Sequence, residues 1–371
     1  MKATRIIDGD GHVFEDMAAI ARYMPAPFND IPVLGARILP PLDHFHIGWI
    51  GKTPEGAFSP GVGPKEWFQF MEEVGIDSAV VYPTVGLAYY KLPNVDWAIA
   101  AAQAYNNWLY DTYMKEINGF YGMALIPMQE PDAAIDEMRR AVRELGMKGV
   151  MLGPNSLGAH FGSKCYWPVY EAANELGCAI AVHGGCHSRI GMDDMNVFAA
   201  VHALGHPYGQ LINFAGMLFN GIFDRFPNVR FGFLEAGVAW FLMALERCDG
   251  SYKGFVPWDL RGELIQLQNG ESVREHIIRH VKAGRIFVGI EGDEPDLPHA
   301  VKTIGNEPFF FSSDYPHEVN AHTCREEIDE LLESEELTQA DKDAILYGNS
   351  VRFYNLQPEV AGAKQKVAAA R

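Results

Sequence analysis

The chain has 371 residues, 48% of them hydrophobic and 21% charged, which supplies a sizeable core and excludes a disordered or fibrous protein. Its 48 acidic and 30 basic side chains leave a formal charge of −18, a field that argues against nucleic acid and anionic membrane surfaces as partners. Five cysteines form no CxxC pair, and the sequence shows neither a signal-type h-region nor an apolar run of about 18 residues, so a cytoplasmic protein is expected.

Short apolar runs recur along the chain, each ending in Gly, Pro, His or an acidic residue. They are RIIDGDGH from residue 5, DSAVVYPT from 77, FYGMALIP from 120, GVMLGP from 149, CAIAVHGG from 178, VRFGFLEAG from 229, RIFVGIEG from 285 and FFFSSDYP from 309. Continuous rather than alternating apolarity predicts strands covered on both faces. Between them lie segments of helical periodicity, among them VDWAIAAAQAYNNWLYDTYMKEI from 95, PDAAIDEMRRAVRELG from 131, YWPVYEAANELG from 166 and GQLINFAGMLFNGIFDRFP from 209. Pro131 suits a first helical position, and Gly146 and Gly177 suit C-terminal caps.

Alternating strands and helices imply a parallel sheet. Eight such units predict an α/β protein of the (β/α)8 TIM-like barrel type, and the rival doubly wound sheet lacks a GxGxxG after its first strand. The expected layout is a single barrel domain over residues 1–356, a Pro- and Gly-rich insertion at about 14–76 after strand 1, and a tail at 357–371. Loops as long as this insertion are usually lids or partner contacts.

Catalytic side chains of a barrel come from the C-terminal ends of its strands. There the sequence offers Asp10 and His12 after strand one, His183 after strand five, Glu235 after strand six and Asp314 after strand eight. Two imidazoles with carboxylates make a mixed N/O set suited to Zn²⁺ first, and to Mn²⁺ or Fe²⁺ as alternatives, as one or two ions. Asp10 and His12 alone fit a turn Asp and a hydrogen-bonded core His equally well; the coincidence with His183 and Asp314 at other strand ends favours metal.

Several of these segments carry a family resemblance: IIDGDGHVFED, IAVHGG, HPYGQLINFAGMLFNGIFDRFPNVRFGFLEAG, FFFSSDYPH and YGNSVRFYNL. Together they resemble the amidohydrolase-related (amidohydrolase 2) branch of the metal-dependent amidohydrolase superfamily, and are similar to its aromatic and muconate semialdehyde decarboxylase group. The resemblance implies that Asp10, His12, His183 and Asp314 are the metal ligands, and it implies a homodimer. It also implies a His at the strand-six position, where this chain has Glu235.

A carboxylate there acts as a general base or helps to hold a second ion, which makes hydrolysis the first expectation. The reading is a hydrolase using metal-activated water on an amide, ester, lactone or thioester of a small organic acid, with Glu235, Asp314 and His317 catalytic. The alternative is nonoxidative decarboxylation of an aromatic or unsaturated carboxylate, and a further one is a non-catalytic metal-binding barrel. For Glu235 itself the competing role is a structural salt bridge with an Arg.

Substrate contacts are expected from Arg189, able to grip a carboxylate bidentately, and from His187, both in the loop HGGCHSRIG. His46, in DHFHIGW of the insertion, is expected in a lid that touches substrate. His202 and His206 of VHALGHPYG suit capping or support of the site, and Glu15 suits either a second ion or an ion pair at the barrel mouth. Cys186 lacks a base partner at any defined spacing and reads as a small buried hydrophobe.

Overall fold

The computed structural model describes residues 5–30, 38–42, 61–115, 119–187, 189–261 and 264–357. All eight anticipated strands form: β1 (Ile7–Val13), β2 (Ser78–Pro83), β3 (Phe120–Ala124), β4 (Gly149–Leu152), β5 (Ala179–His183), β6 (Arg230–Leu234), β7 (Ile286–Ile290) and β8 (Phe309–Phe311). They pair in parallel and in sequence order as one eight-stranded sheet with helices between, a (β/α)8 TIM barrel. Strands from β2 to β8 are almost wholly buried, because their side chains face either the barrel interior or the helix layer.

The barrel closes where β1 meets the segment after β8. Asp314 N donates to Asp10 O at 3.0 Å and His12 N donates to Tyr315 O at 2.7 Å. Asp8 reinforces this seam by accepting from Ser313 N at 3.0 Å and from Ser313 Oγ at 2.6 Å. The β1–β2 register shifts between Asp8 and Gly11, so β1 carries an irregularity just where its acidic residues turn toward the mouth.

Local chemistry explains the helix limits. Pro131 opens the helix Pro131–Arg143, and Gly177, at φ +58°, closes Trp167–Leu176 in the left-handed region that favours glycine. The helix expected from residue 209 begins earlier, at Phe198, and runs to Phe219 with Pro207 inside it. The helix expected over 95–117 is Val95–Leu109 followed by a π turn, Tyr110–Met114. The insertion contributes the helices Met17–Ala21 and Pro64–Val74, the latter burying Trp67 and Phe70 against the barrel. His44, His46 and the tail from residue 358 lie outside the described residues.

None of the described helices is long and apolar enough to cross a membrane. All five cysteines are free thiols, and only Cys165 is exposed.

Candidate metal centre and active site

Side chains from β1, β5 and the β8 loop converge at the C-terminal mouth. His183 Nε2 lies 3.2 Å from Asp10 Oδ1, His12 Nε2 lies 3.7 Å from the same oxygen, and His12 Nε2 lies 3.2 Å from Asp314 Oδ1. Donors held about 2.0–2.2 Å from one ion stand roughly 3.0–3.5 Å apart, so these spacings suit a shared cation.

Tautomers agree with that reading. His12 Nδ1 sits 2.9 Å from Pro83 O and His183 Nδ1 sits 3.0 Å from Gly184 O. A carbonyl only accepts, so each Nδ1 carries a hydrogen, which leaves each Nε2 as the atom a metal would take in place of a proton. His12 Nε2 is fully buried with no hydrogen-bond partner, a state that an ion would relieve. Asp10, His12, His183 and Asp314 therefore fit a divalent metal.

Electrostatics around the cluster follow from burial and crowding. Burial pushes His12 away from its protonated form, with nearby His317 adding to the effect. Burial also opposes charge on His183, but Asp10 and Glu235 overcome it and push its pKa up to about 10 in the metal-free site. For Asp314, burial is outweighed by His317 and His12, and its carboxyl is held well below the usual range.

Supporting contacts explain how these side chains are held. His317 Nδ1 lies 2.8 Å from Asp314 Oδ1, its Nε2 lies 3.0 Å from Thr84 Oγ1, and its ring stacks on His12 with centroids 4.1 Å apart. Glu15 accepts from the backbone N–H groups of Val85 and Gly86 at 3.0 and 2.7 Å, so it clamps the β2 loop, and among the described residues it forms no ion pair.

Glu235 stands one residue beyond β6, with φ +57°, and Asp314 has φ +56°. Two non-glycine residues in the left-handed region at one mouth mark stored backbone strain, which gathers at functional sites. Among the described residues Glu235 pairs with no arginine. Its Oε2 lies 3.3 Å from His183 Nδ1 and 3.3 Å from His206 Nδ1. Burial raises its carboxyl well above the ordinary range, opposed by His183 and aided by Asp314 and Asp10.

His206 thus stands closer to the chemistry than a capping role suggests. A Cβ at Gly184 would run into its imidazole, so the glycine after His183 is what admits it. His187 is buried and packs edge-on against His206, with centroids 4.7 Å apart. Arg189 is exposed on its loop, and its backbone N–H donates to Asp193.

Above the cluster opens a cavity of about 730 Å³, lined by Glu235, Asp314, His206 and the loops after β7 and β8. A smaller cavity beside it is lined by Leu42, Leu87, His202, His206, Glu235, His317 and Glu318. Glu235 and His206 border both.

Comparisons with known proteins agree with this architecture. A 2-amino-3-carboxymuconate-6-semialdehyde decarboxylase of Dictyostelium discoideum is 26% identical over 262 residues, covering 70% of this chain and 68% of that protein. A 2-keto-4-carboxy-3-hexenedioate hydratase of Sphingobium is 28% identical over 176 residues, 44% of this chain and 48% of that protein. The crystal structure of a 5-carboxyvanillate decarboxylase from Novosphingobium aromaticivorans, complexed with manganese and 4-hydroxy-3-methoxy-5-nitrobenzoic acid, superposes with a TM-score of 0.71 at 18% identity, covering 95% of this chain and 97% of that one. The model of the amidohydrolase family matches residues 7–356, and the chain belongs to that family.

Proposed function

We propose that the protein is a metal-dependent carboxy-lyase that removes CO₂ from an aromatic or unsaturated carboxylate. The observation that carries this reading is the pair of His/Asp groups that share His12, Asp10–His12–His183 and His12–Asp314–His317, with Asp314 lining the cavity, in a family member whose relatives include decarboxylases. Decarboxylation thereby takes precedence over the hydrolysis that Glu235 first suggested. Manganese, held by the nitrobenzoate-bound neighbour, is the ion we assign ahead of zinc.

When bound, such an ion supplies charge neutralisation and Lewis-acid polarisation to a substrate carboxylate and its neighbouring oxygen. The chain's own residues do the rest. Asp314 is a ligand fixed by His317, whose two nitrogens already face Asp314 and Thr84, so His317 is a positioning residue. Glu235 and His206, 3.3 Å apart and both lining the cavity, hold and deliver the proton that replaces CO₂ on carbon. Arg189 and His187 remain candidates for loop contacts to substrate, and His46 for the lid.

A second reading, addition of water or hydrolysis, is favoured by one observation, the carboxylate of Glu235 beside His206. Product analysis separates the two. The manganese-loaded protein, offered hydroxybenzoates and unsaturated diacids in D₂O, should release CO₂ and leave deuterium on the carbon that lost it. Incorporation of ¹⁸O from water into the product with no CO₂ would replace the lyase reading by the second one.

The setting we assign is the reducing cytoplasm, on the five free thiols. We assign a homodimer on Leu204, Tyr208 and Ile212, exposed four residues apart along the helix Phe198–Phe219; a monomer by light scattering would remove that assignment.

A further inference from the structure

The helix Phe198–Phe219 turns two side chains toward the ends of β5 and β6 from successive turns: His206, 3.3 Å from Glu235, and Gln210. Gln210 is completely buried, and its Nε2 donates to two backbone carbonyls at once, Val182 O at 2.9 Å and Leu234 O at 2.8 Å. Carbonyls only accept, so the amide nitrogen faces them, and its Oε1, turned the other way, accepts from no described residue. What this side chain contributes is therefore its pair of hydrogens.

The position of the two carbonyls gives those hydrogens their meaning. Val182 and Leu234 immediately precede His183 and Glu235, and the ladder between β5 and β6 ends at the pair of His183 with Leu234. A peptide unit is planar, so a bond that holds a carbonyl also holds the N–H of the next residue. From one nitrogen, Gln210 fixes the peptide planes that lead into the metal-ligating imidazole and into the carboxylate 3.3 Å from it. Glu235 needs such a restraint. A residue with a side chain keeps a φ of +57° only where surrounding bonds over-determine it, and the bond to Leu234 O acts on the peptide that enters that angle.

We propose that Gln210 is a positioning residue that holds the strained turn at Glu235 and keeps Glu235 and His206 in register with His183. Without its hydrogens the turn relaxes, and the Glu235 carboxylate leaves its contacts with both imidazoles. The inference rests on the carboxy-lyase reading for the proton that Glu235 and His206 carry, and on the hydrogen bonds alone for the rest.

Gln210→Met keeps the length of the side chain and removes both hydrogens. In the manganese-loaded protein kcat should fall about 10²-fold while KM changes less than about twofold, because substrate still meets the metal and only proton delivery is misplaced. Manganese affinity should fall about tenfold, and the EPR spectrum of the bound ion should differ from that of the unmodified protein as the His183 peptide loosens. Gln210→Glu, kept protonated by burial, retains one hydrogen and should fall between the two. If the methionine variant does not fold, Gln210→Glu carries the test, and native kcat and manganese affinity in it would overturn the proposal.

A glutamine that serves only stability predicts another pattern. Asp224→Asn, in a cluster at the far end of the barrel, is the control that costs stability while kcat stays at the native level. If Gln210→Met keeps native kcat and manganese affinity, or if Asp224→Asn loses as much turnover, Gln210 is a packing residue and the proposal falls. If the unmodified protein releases CO₂ from no carboxylate offered, it is the carboxy-lyase reading that fails. Manganese affinity and the EPR spectrum then judge Gln210 without turnover: weaker binding in Gln210→Met supports the positioning role, and native values remove it.

Discussion

Two clusters of histidine and carboxylate occupy opposite ends of this barrel, and the hydrogens on their imidazoles point in opposite directions. At the C-terminal mouth, His12 and His183 rest Nδ1 on carbonyl oxygens and turn Nε2 toward Asp10 and Asp314. At the other end, before β6 and β7, His276 and His280 gather around Asp224. There Arg279 Nη2 lies 2.8 Å from His276 Nδ1, and Arg285 Nη1 lies 3.2 Å from His280 Nδ1.

A guanidinium only donates, so these Nδ1 atoms accept; His280 Nε2 then carries its hydrogen to Asp224 at 3.1 Å, and His276 Nε2 stands 3.4 Å from the same carboxylate. The three atoms are spaced closely enough to hold an ion, yet their lone pairs are already spent. Residue type and spacing are alike in the two clusters. What separates a metal site from a structural knot is the partner behind each ring.

Removing His183 should give the largest effect. His183→Ala is expected to lower metal affinity by roughly 100-fold or more, beyond the loss that outer partners produce, and turnover should vanish with it. Metal analysis after dialysis checks this, and full occupancy in the variant would dissolve the distinction between the two ends. Glu235→Gln comes next. It should keep the metal and lose about 10²- to 10⁴-fold in kcat, whereas loss of metal would make Glu235 a ligand instead.

The knot should fail in the opposite manner. Asp224→Asn should leave metal content and turnover unchanged but destabilise the fold by about 3 kcal/mol, read from denaturant melts. Its pH dependence has a defined sign. Burial opposes charge on Asp224, but hydrogen bonds from His276 and His280 win and hold its carboxyl well below the ordinary value of 3.8. That stability is present above pH 3.8 and is lost as pH falls toward the folded value.

Burial lowers His280 below its ordinary value of 6.5, outweighing the Asp224 hydrogen bond. Its contribution is complete above 6.5 and declines on acidification below it. Asp224→Asn should flatten the limb below pH 3.8, which Asp224 itself supplies, and an unchanged limb there would refute the assignment. The smallest effect belongs to Thr84→Val, which removes the hydroxyl 3.0 Å from His317 Nε2. Metal affinity should fall by less than about tenfold, with Asp314 less well oriented.

Much of this was legible in the sequence for one physical reason. Strands buried on both faces must be apolar throughout, so a charged or imidazole residue that ends such a run announces the barrel mouth, as in IAVHGG and FGFLEAG. Pairings across the chain were less legible. Nothing in the sequence says that Gly184 makes room for His206, or that Ser313 holds Asp8.

The left-handed backbone at Glu235 and Asp314 has no sequence signature either, because neither residue type demands it. His276 and His280 did carry a signal, the His-x₃-His spacing on one helix face. That spacing sits away from any strand end and does not reveal the arginines that settle its meaning.

The seam between β1 and the β8 loop also bears on how the protein is made. Asp10 and Asp314, both ligands in this reading, stand about 300 positions apart and are brought together only when Asp314 N meets Asp10 O. A chain emerging from the ribosome holds Asp10, His12 and His183 long before it holds Asp314. Full coordination therefore waits for the last strand, and the ion, once bound, clasps the ends of a very long loop whose closure entropy has already been met by folding.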